Sequence, residues 1–249
     1  MTLRIAVAGK GGVGKTTCSA LFLRGLALSG VRPLLAVDAD PNSNLHQLLS
    51  LPLPERLGSL REEQRALVGG AVPLTDRVAS EVQRRLSEGE AVDLIAMGRG
   101  EGPGCYCYVN NLLREALDRI ERGYRAIVVD NEAGMEHLSR RSVRRIDHLV
   151  LVGDPSPRGI SAVTALRDLA AELALPVGKT WLLLNRPYGV PGRGATDALG
   201  IPLLAALPHD PRLPSWENEG RSFLDLPPGE SPAADAVADA LRTFLPGLS

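Results

Sequence analysis

Nine residues near the start, Gly9-Lys10-Gly11-Gly12-Val13-Gly14-Lys15-Thr16-Thr17, constrain the fold of this chain more than any others. They follow directly on the apolar run Leu3–Ala8 and match the spacing G-x-x-x-x-G-K-[ST]. Glycines so placed let consecutive backbone N–H groups turn inward around an anion, and a helix that starts beside them points its positive end at the same spot. The pattern therefore predicts strand, phosphate loop and helix in that order, with Gly9 to Thr17 as the nucleotide cradle. Lys15 is placed to reach the outer phosphates, and the Thr16 hydroxyl to bind Mg²⁺. Average residue usage yields the bare pattern by accident in roughly one chain of this length per hundred. The strand before it and the helical pattern after it make accident a poor account.

The rest of the chain continues the same alternation. Strands are predicted at Leu3–Ala8, Pro33–Asp38, Asp93–Met97, Ala126–Asp130, His148–Val152, Trp181–Asn185 and Leu203–Leu207. Most are continuously apolar, as strands covered on both faces must be. Helices are predicted at Lys15–Ser29, Leu60–Val68, Asp76–Ser87, Asn110–Glu121, Ser139–Arg145, Gly159–Leu173 and Ala233–Phe244, with loops at Leu51–Pro54 and Arg186–Gly194. The expected class is α/β: a doubly wound, mostly parallel sheet with helices on both faces, in a single P-loop NTPase domain over residues 1–249. In such sheets ligands bind beyond the carboxyl ends of the strands.

Informative residues stand at those ends. The second strand runs into Asp38-Ala39-Asp40-Pro41-Asn42-Ser43-Asn44, and the fourth ends in Asp130, followed by Asn131-Glu132-Ala133-Gly134. A carboxylate closing a buried strand beside a phosphate loop commonly holds Mg²⁺ through its water shell, the role expected of Asp130. Asp40 is expected to orient the attacking water or the Mg²⁺ shell. Asp38 is open between function and an ordinary Asp-Pro type turn. Gly134 supplies a hinge after Asp130. Asn185 and the group Pro208-His209-Asp210 close two neighbouring strands, where amide and backbone groups suit the edge of a purine.

Composition narrows the partners. A net charge of −1 gives no bulk attraction to nucleic acid or to an anionic membrane, so neither is expected as a partner. Three cysteines make no disulfide framework and point to a reducing cytoplasm. No apolar run approaches the ~20 residues that span a bilayer.

The loop, with Lys10 as a second, early lysine, resembles the deviant Walker A of the MinD, ParA and nitrogenase-iron-protein class. That resemblance extends through Asp40, Asp130, Asn185 and Pro208-His209-Asp210, and covers nearly the whole chain. It implies an ATPase in which two identical subunits face each other with ATP and Mg²⁺ between them. Lys10 of each would reach the other's phosphates, so that Lys10, Lys15 and Asp40 form the catalytic set. It also implies adenine contacts from Asn185, Pro208 and Asp210. A narrower resemblance rests on Met97-Gly98, Gly102-Pro103-Gly104-Cys105-Tyr106-Cys107, Asn110, Leu112-Leu113-Arg114 and Asp130–Leu138. These are similar to the CooC-type nickel-insertion ATPases that mature carbon monoxide dehydrogenase. In that family the Cys-x-Cys of each subunit binds metal at the dimer interface, which implies Cys105 and Cys107 as ligands, Ni²⁺ as cargo and a nickel enzyme as client. Asn44 departs from the nitrogenase iron protein, which carries a carboxylate there.

The thiol chemistry fits without settling the metal. Side chains two apart in an extended segment share one side, but two thiolates do not close a four-ligand site. An isologous partner would add two more. Four thiolates suit Zn²⁺ or an iron–sulfur centre as well as Ni²⁺, and an inert pair of thiols in a glycine-rich loop is the plain alternative. Cys18, on the first helix among Ala20, Leu21 and Leu23, is expected in the core. A rival function is a MinD/ParA-like positioning or partitioning ATPase. Its DNA-binding form should carry a basic surface, and its membrane form a basic amphipathic C-terminal helix. Ala233–Phe244 has Arg242 as its only basic residue and is expected to pack on the domain. An iron–sulfur electron donor would need two distant cysteines per subunit, and only Cys18 remains.

Overall fold

Odd and even residues of the first strand bury on opposite sides, and that alternation sets the layout. In a computed structural model that describes residues 2–57, 73–98, 117–133, 145–185 and 199–244, Ile5 and Val7 join one apolar cluster while Ala6 and Ala8 join another. A strand covered on both faces needs a continuous apolar run, which is why Leu3–Ala8 carries no polar alternation beyond Arg4.

Seven strands form the sheet: β1 (Leu3–Gly9), β2 (Leu34–Asp38), β3 (Val92–Ala96), β4 (Ala126–Asp130), β5 (Ile146–Gly153), β6 (Val177–Asn185) and β7 (Leu203–Leu207). Their order is β3-β2-β4-β1-β5-β6-β7, and every pairing is parallel. The chain moves to one side of β1 for β2 to β4 and to the other for β5 to β7. The end of β1 is therefore the switch point at which such sheets open a crevice. Register sets the neighbours there, with Val7 beside Asp130, Asp38 beside Asp130, and Gly9 beside Val152.

Six α-helices with both ends among the described residues cover the sheet: α1 (Lys15–Leu28), α2 (Leu45–Leu49), α3 (Leu74–Arg84), α4 (Pro157–Glu172), α5 (Arg212–Asn218) and α6 (Pro232–Phe244). Helices α1, α2, α5 and α6 feed one cluster, and α3 and α4 the other. Helix α6 lies on α1 with Ala233, Val237 and Leu241 buried; Leu241 Cδ1 comes so close to Gly25 that a β-carbon there would collide with it. Arg24, 1% exposed, ties the same region together by donating from Nε to the Leu226 carbonyl at 2.7 Å.

All seven predicted strands are present, with β5 and β6 longer at their starts than expected. The predicted helix Asp76–Ser87 begins earlier and stops at Arg84, because Ser87 instead forms an antiparallel bridge with Leu94. Helix α4 starts at Pro157, where Ser156 Oγ accepts from the Gly159 N–H at 3.0 Å as an N-cap. Helices α2 and α5 were not expected: five and seven residues are too few to show helical periodicity, and α5 carries Pro214. The predicted helix Leu60–Val68, the loop Arg186–Gly194, Gly134 and the Cys105–Cys107 segment lie outside the described residues. So do Ser139–Arg145 except Arg145, and Asn110–Glu121 except 117–121, which are helical.

Candidate functional site

The loop between β1 and α1 turns on Gly14. Its φ of 93° lies in the left-handed region, and a β-carbon there would strike the Asn185 amide. Gly11 and Gly12 have no atom within 4 Å of where a β-carbon would stand, so their backbone faces an open cleft. Helix α1 begins with no side-chain cap and no acidic residue in its first turn. Its first N–H groups and positive dipole end are thus left for an anion. The donors, the open cradle and the helix end fit a polyphosphate.

Lys15 is 7% exposed and donates from Nζ to the Lys10 carbonyl at 3.3 Å. Beneath the loop, Asp130 is 1% exposed. Ser19 Oγ donates to its Oδ1 at 3.1 Å, and the nearby Thr16 hydroxyl pulls its pKa down. Burial raises Asp130 to a pKa of about 7, against the pull of Thr16, Ser19 and Lys15. Asp38, next to it in register, is raised to about 6, again chiefly by burial. A hydroxyl beside a carboxylate, with a second carboxylate adjacent in register, suits a hydrated Mg²⁺.

Asp38 faces the first switch segment, where its oxygens accept from the N–H groups of Asp40 (3.1 Å) and Leu45 (2.9 Å). It therefore holds the turn in which Asp40 Oδ1 accepts from the Asn42 N–H at 2.9 Å. Asp40, Asn42 and Asn44 line one cleft of ≈ 470 Å³ with Gly12, Lys15 and Thr16. The sequence singled out Asp40 and missed Asn42 as a lining residue.

The early lysine points elsewhere. Lys10 Nζ pairs with Asp154 Oδ2 at 2.5 Å, and its side chain is 39% exposed. That pair, with the Ser156 bonds, holds the Asp154 carboxyl down at about 2. Asp154 directly follows β5 and was legible as another strand-end carboxylate, yet the sequence reading passed over it. Asn185 Nδ2 donates to the Val13 carbonyl at 2.8 Å, which locks the end of β6 onto the loop. Asp210 is buried and capping: Oδ1 accepts from the Arg212 N–H at 2.9 Å, and Oδ2 from Ser231 Oγ at 2.6 Å and the Ala233 N–H at 3.1 Å. Pro208 and Asn185 line a second, narrower cleft together with Cys18 and Leu21. Cys18 is 1% exposed, in the core as expected. No group of three or more metal-ligating side chains occurs among the described residues, which exclude Cys105 and Cys107.

A model of the CobQ/CobB/MinD/ParA nucleotide binding domain matches residues 5–223, which include the β1–α1 loop, Asp40, Asp130 and Asn185. The chain belongs to that family. Among its relatives is the uncharacterized ATP-binding protein MJ0685 of Methanocaldococcus jannaschii, 36% identical over 232 residues, covering 90% of this chain and 91% of that one. The carbon monoxide dehydrogenase accessory protein CooC of Rhodospirillum rubrum is 30% identical over 256 residues, covering 96% of each. A ParA family ATPase from Chlorobium tepidum superposes with a TM-score of 0.72 at 21% identity, covering 96% and 98% of the two chains. The seven-stranded parallel sheet is thus the P-loop fold of the CobQ/CobB/MinD/ParA family, a family of nucleotide-binding ATPases. No helix of the described residues is long and apolar enough to cross a membrane.

The raised carboxyls give this family member a pH signature. An unfolded aspartate loses its proton near pH 3.8, whereas Asp130 and Asp38 keep theirs to about 7 and about 6. Between those limits the folded state binds more protons than the unfolded one, so stability falls as pH rises from about 4 to about 7. Thermal melts without nucleotide or Mg²⁺ should show a lower Tm at pH 8 than at pH 5, and Asp130→Asn should flatten the difference. An equal slope in the variant would remove Asp130 as its source.

Proposed function

We propose that the chain is an ATP-hydrolysing homodimer, closed by nucleotide, that binds Ni²⁺ through Cys105 and Cys107 of both subunits and passes it to carbon monoxide dehydrogenase or a related nickel enzyme. The observation that carries this reading is the similarity to CooC over 96% of both chains. The Cys105-Tyr106-Cys107 segment adds the soft ligands such a cargo needs.

The geometry supports the ATPase half. The Gly11–Gly14 backbone and the start of α1 would bind the β- and γ-phosphates, and the Lys15 ammonium would exchange the Lys10 carbonyl for phosphate oxygens. Thr16 would ligate Mg²⁺ and Asp130 would hold its water shell. When bound, Mg²⁺ draws charge from the phosphate oxygens as the terminal bond breaks. Asp40 would orient the attacking water, which is the positioning that phosphoryl transfer asks of a protein. Lys10 would leave Asp154 to meet the partner's phosphates.

Metal titration with and without a non-hydrolysable ATP analogue, read alongside oligomer size, tests the proposal. One Ni²⁺ per two chains in a nucleotide-closed dimer is expected, and one ion per isolated monomer would defeat it. In the same assay Lys10→Ala should still bind nucleotide, since Lys10 points out of its own cradle, but should elute as a monomer with the analogue. A dimer of normal size would remove Lys10 from the interface.

A second reading, a MinD/ParA-like switch, is favoured by the fold likeness to Aquifex aeolicus MinD, with a TM-score of 0.70. The buried apolar side of α6 counts against its membrane-bound form, which needs that side free.

A further inference from the structure

Helix α1 buries three polar side chains, Lys15, Ser19 and Arg24. Lys15 reaches over the loop to the Lys10 carbonyl, and Arg24 ties the helix to the Leu226 carbonyl. Ser19 is left to explain. It is 0% exposed, and its neighbours Cys18, Ala20, Leu21 and Phe22 are buried and apolar. A hydroxyl shut away from water needs a partner, and inside a helix the nearest one is a carbonyl of the preceding turn. Ser19 instead reaches across to the end of β4 and donates from Oγ to Asp130 Oδ1 at 3.1 Å.

That hydrogen bond supplies something Asp130 lacks by itself. The last torsion of an aspartate side chain is broad, so the carboxylate plane is not fixed by the chain's own geometry. Asp38, beside Asp130 in register, spends its oxygens on the N–H groups of Asp40 and Leu45. Ser19, by contrast, holds one Asp130 oxygen from a rigid, buried helix. The carboxylate can then no longer turn freely, and its other oxygen keeps lone pairs for a hydrated cation. Thr16 and Ser19 stand three positions apart and so share a face of α1. The expected Mg²⁺ ligand and the donor that steadies Asp130 are therefore set by one helix.

We propose that Ser19 is a positioning residue for the Mg²⁺ that accompanies the nucleotide, its hydroxyl clamping Asp130 Oδ1 so that the carboxylate is aimed at the cation's water shell. This rests on the ATP and Mg²⁺ reading above and adds to it a residue outside the phosphate loop. Partners of this kind orient a metal's surroundings without touching the ion, and their loss weakens metal binding while leaving the ligands in place.

Titration calorimetry with ATP, run at stepped Mg²⁺ concentrations and again in EDTA, tests the assignment. In Ser19→Ala the Mg²⁺ concentration that half-restores tight ATP binding should rise about 10-fold, the lower end for a lost outer-shell partner. Its ATP affinity in EDTA should match wild type, because the loop N–H groups and Lys15 are untouched. Ser19→Cys nearly keeps the volume but donates only weakly, so it should follow Ser19→Ala. A serine that merely fills space predicts otherwise: Ser19→Cys would bind like wild type, and Ser19→Ala would lose affinity equally with and without Mg²⁺. Either of those results, or an unshifted Mg²⁺ requirement in Ser19→Ala, would overturn the proposal and leave ATP binding intact. Wild type that fails to bind ATP, or binds it no better with Mg²⁺ than in EDTA, would overturn the ATP and Mg²⁺ reading itself.

Discussion

Lys15→Ala is expected to lower ATP turnover by at least about 10²–10³-fold, the usual cost of removing one preorganised charge-stabilising donor. The side chain is 7% exposed, so its charge acts across little water and is screened weakly by salt. Its Nζ sits over the loop on the Lys10 carbonyl, within reach of whatever anion the loop holds. The substitution has a second effect underneath. Lys15 is one of the groups pulling the Asp130 carboxyl down against burial, so its loss pushes Asp130 further toward the neutral form. A neutral Asp130 holds a hydrated cation poorly, so nucleotide and Mg²⁺ should weaken together. Phosphate-release kinetics and calorimetry at fixed Mg²⁺ measure both effects. Turnover within a few-fold of wild type would exclude Lys15 from the cradle.

The paired change Cys105→Ser and Cys107→Ser should weaken Ni²⁺ binding by at least about 100-fold, above the 10- to 100-fold typical of outer-shell changes around a metal. A serine hydroxyl is a hard, protonated donor at neutral pH, whereas a cysteine near a cation ionises to a soft thiolate. Among the described residues no other cluster of His, Cys, Asp or Glu is arranged to take the ion over. ATP hydrolysis should remain measurable, because the loop, Asp40 and Asp130 belong to separate elements. Unaltered Ni²⁺ affinity in the double variant would end the metallochaperone reading and leave the nucleotide switch standing. The two substitutions thus separate the halves of the proposal, one removing energy input and the other cargo.

Much of the architecture was legible from the chain. Strands β1, β2 and β4 could be read from their nearly unbroken apolar runs, because a strand buried on both faces leaves little room for polar alternation. The first turn of α1 was legible because only glycine accepts the left-handed backbone at Gly14. The misses have physical causes too. Helices α2 and α5 are held by their surroundings: Asp38 caps the entry to α2, and buried Trp216 pins α5. Neither leaves a periodic trace over so few residues. Ser19, three positions after Thr16, is a polar residue on an otherwise buried helix face, and that exception was a signal open to notice.

By itself the sequence determined the glycine-rich loop, the strand ends at Asp38, Asp130 and Asn185, and the family resemblance, since loop and strand ends follow from backbone sterics or burial acting along a short stretch. Tertiary structure alone decided that Lys10 meets Asp154, that Asp38 lies beside Asp130 and raises its pKa, and that Thr17 and Glu217 line the same clefts. Those partners lie far apart in the chain. Strand order and helix packing bring them together, and no local pattern of residues encodes the distance between two side chains.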